Sequence, residues 1–167
     1  MRSEDLQITV LDGGFSVTVS GRANFDYAVP LREIAGKLDA ESWLHIDLEN
    51  CEAMDSTFMG VLTMLALKMR KGGSQIMLIN ASGQLNKLLR DLGVAKLFKF
   101  VSGDDAASAE NGTEIAFNRS SSLLSTAQTV VDAHKTLVEA DSSNAEKFDK
   151  VIEFAEQDVQ RLKDAEK

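Results

Sequence analysis

Hydrophobic and polar residues alternate through the first part of the chain in the pattern of half-buried β-strands. Leu6 to Leu11 and Phe15 to Ser20 alternate on either side of Asp12-Gly13-Gly14, which is typical of two strands joined by a tight turn. Three more strands are predicted farther along, at Trp43 to Leu48, Ile76 to Ile79 and Phe98 to Val101. The chain is therefore expected to open with a β-hairpin and to continue into a sheet.

Between these strands the spacing of apolar residues becomes helical. The pattern predicts helices from about Asp26 to Asp39, from Ser56 or Thr57 to Lys71, and from Gln84 to Leu92. Asn24 or Asp26 is expected to cap the first helix, where Pro30 is tolerated only in the first turn. The resulting order, β-β-α-β-α-β-α-β, indicates an α/β fold: a small mixed sheet with helices packed against it.

The last third of the chain differs in composition, because all 11 glycines precede residue 113. Two amphipathic stripes follow, which predict an αα-hairpin over 123–167, with Ser143 and Glu146 as a capping box between its helices. Each stripe is too short to be stable alone, so the hairpin must pack either on its own chain or on a second copy or partner. We therefore expect an α/β domain at 1–111, a linker at 112–122 and a helical extension at 123–167.

Composition narrows the functional classes. The chain carries 18 Lys and Arg against 26 Asp and Glu, a net charge of −8, which does not favour binding to nucleic acid or anionic lipid. One cysteine and two histidines do not suggest a metal site, and no set of nucleophile, base and orienting group indicates an enzyme or a cofactor. No segment is apolar enough to span a membrane, so a cytoplasmic protein is expected.

The most specific segment runs from the third strand into the second long helix, through Asp55-Ser56-Thr57. Asp and Ser are favoured helix caps because their side-chain oxygens accept bonds from the first unpaired N–H groups. A hydroxyl at this place is also suited to phosphorylation, since a phosphate there meets free N–H groups and the positive end of the helix dipole. Such a charge would disturb a docked partner without unfolding the helix.

This segment resembles the STAS domain of bacterial anti-sigma factor antagonists, and the resemblance covers roughly residues 6–110. It rests on Asp55-Ser56-Thr57-x-x-Gly60-Val61-Leu62 after a strand, Gly72-Gly73, the strand from Ile76 to Asn80, and Leu88-x-x-x-Leu92-Gly93-x-x-x-Leu97-Phe98. The resemblance implies phosphorylation at Ser56, with Thr57 as the runner-up. It also implies partner switching in bacterial signalling: the unphosphorylated antagonist binds an anti-sigma factor that is a serine kinase, and a phosphatase resets the phosphorylated form.

The resemblance further implies a partner surface made by the start of the second helix and by the loop before the first. Its expected residues are Gly21, Arg22, Asn24, Asp26, Asp55, Ser56, Thr57, Phe58, Met59 and Gly60. Phe58 stands where the family usually has glycine, so the contact surface is expected to differ, and Asn24 replaces an acidic residue. Two alternatives are an accessory STAS subunit of an ABC-type lipid transporter and a scaffold or sensor that dimerises through the C-terminal helices.

Overall fold

The computed structural model describes residues 5–39, 41–103, 112–114 and 122–166. Its centre is a six-stranded mixed sheet in the order β5-β4-β3-β2-β1-β6. The strands are β1 (Asp5–Leu11), β2 (Gly14–Ala23), β3 (Trp43–Met54), β4 (Ile76–Ile79), β5 (Phe98–Val101) and β6 (Thr113–Glu114). β2 to β5 are parallel, whereas β1 pairs antiparallel with both β2 and β6. The predicted α/β class and the opening β-hairpin are confirmed.

The sequence pattern underestimates β3. It predicts that the strand ends at Leu48, but pairing with β2 continues until Met54 lies opposite Ala23. Two irregularities in the register of β2, between Thr18 and Ser20 and between Gly21 and Arg22, accompany this extension. Such irregularities break the alternation of buried and exposed side chains, and the last part of β3 therefore looks like a polar loop in the sequence. The predicted linker also contains a strand, because Thr113 and Glu114 form β6.

Three helices follow the strands: α1 (Phe25–Glu33), α2 (Ser56–Lys71) and α3 (Gly83–Asp91). α1 is capped by the predicted Asn24, whose side chain accepts a bond from the Asp26 N–H, but it passes into a short 3-10 helix at Ile34–Lys37. Pro30 lies beyond the first turn, contrary to expectation. It is buried, and this packing compensates for the hydrogen bond that a proline cannot donate within a helix.

The C-terminal extension is an αα-hairpin of α4 (Leu123–Ala140) and α5 (Ala145–Ala165), joined by a 3-10 turn at Ser142–Asn144. The predicted capping box is wrong, because Ser143 belongs to this turn and its hydroxyl donates to Asp141. Of the two packing arrangements left open by the sequence, the structure shows the hairpin on its own chain, with α4 against α2 and α1.

Buried apolar residues form two clusters in the described part of the chain. The larger lies between the sheet and its helices, and all its buried members except Ala133 and Leu137 come from the α/β domain. The smaller holds α4 to α5 through Val131, Ala155 and Val159. The hairpin thus has a small core of its own and adds only a narrow strip to the main one.

Two further expectations concern helices. The sequence also allows a short helix from Asp104 to Glu110, but these positions lie outside the described residues. None of the described helices combines the length and the apolar composition needed to cross a bilayer.

Candidate partner-binding site at the start of α2

The site lies where two neighbouring parallel strands end. β2 and β3 finish side by side, and the Asp55 N–H donates to the Ala23 carbonyl at 2.9 Å. The chain after β2 leads directly into α1, and the chain after β3 leads into α2. Because the carboxyl ends of parallel strands share one edge of the sheet, the loop at residues 21–26 and the start of α2 form one surface.

Asp55 is the N-cap of α2. Its carboxylate accepts a bond from the Phe58 N–H at 2.8 Å, which satisfies one of the free donors of the first helical turn. Burial raises the pKa of this carboxyl above its ordinary 3.8, although hydrogen bonds from the Phe58 and Phe25 N–H groups and the nearby His134 oppose that rise. Asp55 therefore fixes the start of the helix and leaves the next residue, Ser56, free of the capping role.

The Ser56 hydroxyl is hydrogen-bonded to His134 of α4, with 2.7 Å between Oγ and Nε2. The other ring nitrogen of His134, Nδ1, lies 2.7 Å from the Val130 carbonyl oxygen, which can only accept. Nδ1 therefore carries the proton in the neutral ring, and Nε2 accepts the bond that the Ser56 hydroxyl donates. The candidate phosphorylation site is thus held by a residue outside the α/β domain.

His134 is only 2% exposed, and its ring lies edge-on to Phe148 with 5.0 Å between the ring centroids. Burial lowers the pKa of His134 below its ordinary 6.5, against smaller opposing effects of the Val130 carbonyl and Asp55. Four surface cavities among the described residues are lined by neither Ser56 nor His134. In this arrangement the histidine ring holds the Ser56 hydroxyl in position.

One turn along α2, Gly60 lets α4 approach closely. A methyl group built on Gly60 would lie 2.5 Å from the Ala133 carbonyl oxygen and 2.6 Å from the Ala133 Cβ. Any other residue at position 60 would therefore force the two helices apart. The glycine that the resemblance assigns to a partner surface is, in this conformation, covered by the chain's own α4.

The remaining predicted surface residues divide into two groups. Arg22 and Asp26 are exposed, and Asn24 and Ser56 are partly exposed. By contrast, the side chains of Thr57, Phe58 and Met59 are buried, at 6%, 0% and 5% exposure. Phe58 lies in the main core and does not form part of the outer surface in this conformation.

The sequence patterns do not predict the hydrogen bond between Ser56 and His134. His134 lies on the apolar stripe of α4, where a packed histidine is the expected interpretation, and 78 positions separate it from Ser56. The one available signal is the position of a polar, hydrogen-bonding ring within an otherwise apolar stripe. No group of three or more metal-ligating side chains is found in the described ranges.

The order of elements, the mixed sheet and the capped helix after β3 define an α/β domain class. The family model described as "Mlab, STAS domain" matches residues 11–101, which is more than half of the chain. The chain therefore belongs to the STAS domain family. No curated protein sequence matches it significantly.

Solved structures of anti-sigma factor antagonists share this fold. A Thermotoga maritima protein assigned to that class superposes with a TM-score of 0.50 at 13% identity, covering 60% of this chain and 87% of its own. The phosphorylated form of SpoIIAA, a cell fate determinant of Bacillus, also gives 0.50 at 13% identity, covering 60% of this chain and 93% of its own. At this identity the likeness concerns the fold, and in coverage it corresponds to the α/β domain.

Proposed function

We propose that this protein is an anti-sigma factor antagonist that switches partners through phosphorylation of Ser56. In the unphosphorylated state it binds an anti-sigma factor with serine kinase activity and so releases the sigma factor. That kinase transfers the γ-phosphoryl group of ATP to the Ser56 Oγ, the hydroxyl proton leaves, and ADP departs. A phosphatase restores the hydroxyl.

The observation that carries this proposal is the placement of the Ser56 hydroxyl. Ser56 is the first residue of α2, its neighbour Asp55 supplies the cap, and its own hydroxyl makes no capping bond. It lies beside the loop at residues 21–26, where Arg22 and Asp26 are exposed. A phosphate there would add about −1.5 to −2 of charge at the positive end of the helix dipole. α2 would tolerate this negative charge, whereas the contact with a docked partner would be disturbed by it.

The test is phosphorylation of the full chain by an anti-sigma-type serine kinase from the same organism, followed by intact mass. We expect one added phosphate on the wild type and none on Ser56→Ala. Thr57→Ala should still be modified, since the Thr57 side chain is only 6% exposed. Ser82→Ala is the matched control, because Ser82 is a helix-capping serine at the start of α3. An unmodified wild type, or an equally modified Ser56→Ala, would contradict the proposal.

Binding supplies the second measurement. Ser56→Asp should bind the kinase more weakly than the wild type, because it places a charge at the contact. Ser56→Ala should retain binding in the presence of ATP. Equal affinities of the two variants in a titration would exclude release by charge.

One observation also favours the second candidate function, an accessory subunit of an ABC-type lipid transporter held by its ATPase. The Ser56 hydroxyl already has a structural partner in His134, so the presence of a serine at this position can be explained without phosphorylation. Affinity purification distinguishes the two: recovery of a transporter ATPase in place of a serine kinase would support the transporter function.

A further inference from the structure

The C-terminal hairpin covers the surface to which the proposed function assigns the partner. α4 places His134 on the Ser56 hydroxyl and Ala133 on Gly60, one turn farther along α2. The partner and α4 therefore need the same surface of α2. In the docked conformation this side of α2 is already occupied, whereas Arg22 and Asp26 of the neighbouring loop stay exposed.

The hairpin is held by a narrow apolar strip, made by Ala133 and Leu137 with the partly buried Ala140 and Phe148, and by polar contacts around it. Arg32 of α1 pairs with Asp132 of α4, and both side chains are about one-third exposed, at 32% and 30%. At the other end, the Asn144 side-chain amide donates to the Leu92 carbonyl at 2.9 Å, and Lys147 donates to the Asp91 carbonyl at 3.0 Å. Water can replace such bonds when the hairpin leaves, so each contributes little to holding it.

Among the described residues, one buried side-chain oxygen lacks a hydrogen-bond partner when the hairpin is docked. Asn144 is fully buried, and its Oδ1 has no hydrogen-bond partner among the described residues. A buried acceptor without a partner disfavours the docked state, because the same oxygen would bind water once released. The hairpin also keeps its own apolar cluster of Val131, Ala155 and Val159, so it can leave as a paired unit.

Phosphorylation and docking exclude one another at Ser56. The hydroxyl oxygen lies 2.7 Å from the His134 ring, and at Gly60 the two helices approach too closely to admit even a methyl group. A phosphoryl group needs room for three more oxygens on that hydroxyl. The hairpin must therefore move away before the kinase acts, and the phosphate would then keep it from returning.

We propose that the α4–α5 hairpin is a displaceable intramolecular cover of the Ser56 surface, and that a partner reaches Ser56 only when the hairpin undocks from an otherwise folded domain. The part concerning the kinase rests on the proposed function. The displacement itself does not, because it concerns only the equilibrium between docked and released hairpin in this chain.

The first test is amide hydrogen exchange of the full chain, followed by mass spectrometry. In the wild type, peptides of α4 and α5 should exchange faster than those of β3 and β4. Ala133→Leu, which overfills the contact with Gly60, should accelerate exchange of the hairpin and of the first turn of α2 by about tenfold or more. The strands should keep their protection. Glu139→Leu is the matched control, because it adds the same side chain at an exposed position of α4 and should have no such effect.

A second, milder variant tests whether the effect of Ala133→Leu arises from misfolding. Asp132→Asn removes the charge facing Arg32 without adding volume, and we expect a smaller acceleration in the same peptides. If α4 and the strands exchange at one common rate in the wild type, and both accelerate together in Ala133→Leu, the hairpin is an integral part of the fold and the inference is wrong.

The second test repeats the kinase reaction on the same variants. Ala133→Leu should acquire phosphate about tenfold faster than the wild type, and Glu139→Leu at the wild-type rate. Equal rates for wild type and Ala133→Leu would show that the hairpin does not limit access to Ser56. They would not contradict phosphorylation of Ser56. If no variant is phosphorylated, the proposed function fails, and hydrogen exchange alone then decides whether the hairpin is displaceable.

Discussion

The α/β domain and the C-terminal hairpin are held by different kinds of contact. Within the domain, apolar side chains from the sheet and its helices fill one continuous core. Between domain and hairpin, an apolar strip around Ala133 and Leu137 is bordered by an ion pair and by side-chain bonds to backbone carbonyls. Apolar burial is lost entirely on opening, whereas polar groups exchange partners with water. The core of the domain therefore sets the fold, whereas the hairpin controls access to the Ser56 surface.

The largest expected effect concerns the core of the α/β domain. Phe58 is fully buried, so Phe58→Ala should lower the free energy of unfolding of the domain by about 3–5 kcal/mol, through lost burial and the cavity left behind. Phe154→Ala is the matched control: Phe154 lies on α5 and is 61% exposed, so its loss should change stability by less than about 0.5 kcal/mol. Denaturant titration followed by circular dichroism measures both. Similar losses in the two variants would mean that burial of Phe58 in the core is not what stabilises the domain.

A smaller effect concerns the contact between the two regions. Gly60→Ala improves the helix propensity of α2, but its methyl group meets the Ala133 carbonyl oxygen, so we expect the hairpin to loosen by about 1–3 kcal/mol. Gly83→Ala is the control, because Gly83 is also helical and a methyl group there meets nothing within 4 Å. Hydrogen exchange of the α4 peptides measures the loosening. An unchanged hairpin in Gly60→Ala would show that the helices can separate without cost.

The smallest effect is pH dependence of docking. Burial lowers the pKa of His134 in the docked state, whereas a released His134 titrates near its ordinary 6.5. Above pH 6.5 both states are neutral and docking has its full strength. As the pH falls below 6.5, the released state gains a proton that the docked state resists, so docking weakens until the lowered pKa is passed.

The charged group facing His134 is Asp55, which attracts the imidazolium and makes the effect modest; the Phe148 ring adds no charge. Burial raises the pKa of Asp55 above its ordinary 3.8, so a variant that lacks His134 is needed to separate the two titrations. Exchange rates of α4, corrected for the intrinsic effect of pH and normalised to β3 and β4, should rise between about pH 7.5 and about pH 5.5. His134→Gln should abolish this rise. If the rise persists in that variant, another group is responsible.

Much of the fold follows from local pattern. The alternation around Asp12-Gly13-Gly14 predicts β1 and β2, and the helical spacing after Asp55 predicts α2 to its last residue. The errors occur where tertiary packing overrides local preference. Pro30 is accepted inside α1 because it is buried, and β3 extends past Leu48 because β2 continues to offer it hydrogen bonds.

The candidate site shows the same division. The sequence by itself determined the family, the Asp55 cap and the hydroxyl at the start of α2, because motif, turn and helix signals act over a few neighbouring residues. Only the tertiary structure decided that α4 lies over that hydroxyl. An apolar stripe requires a covering surface but does not specify which one, and the bond between Ser56 and His134 joins residues 78 positions apart.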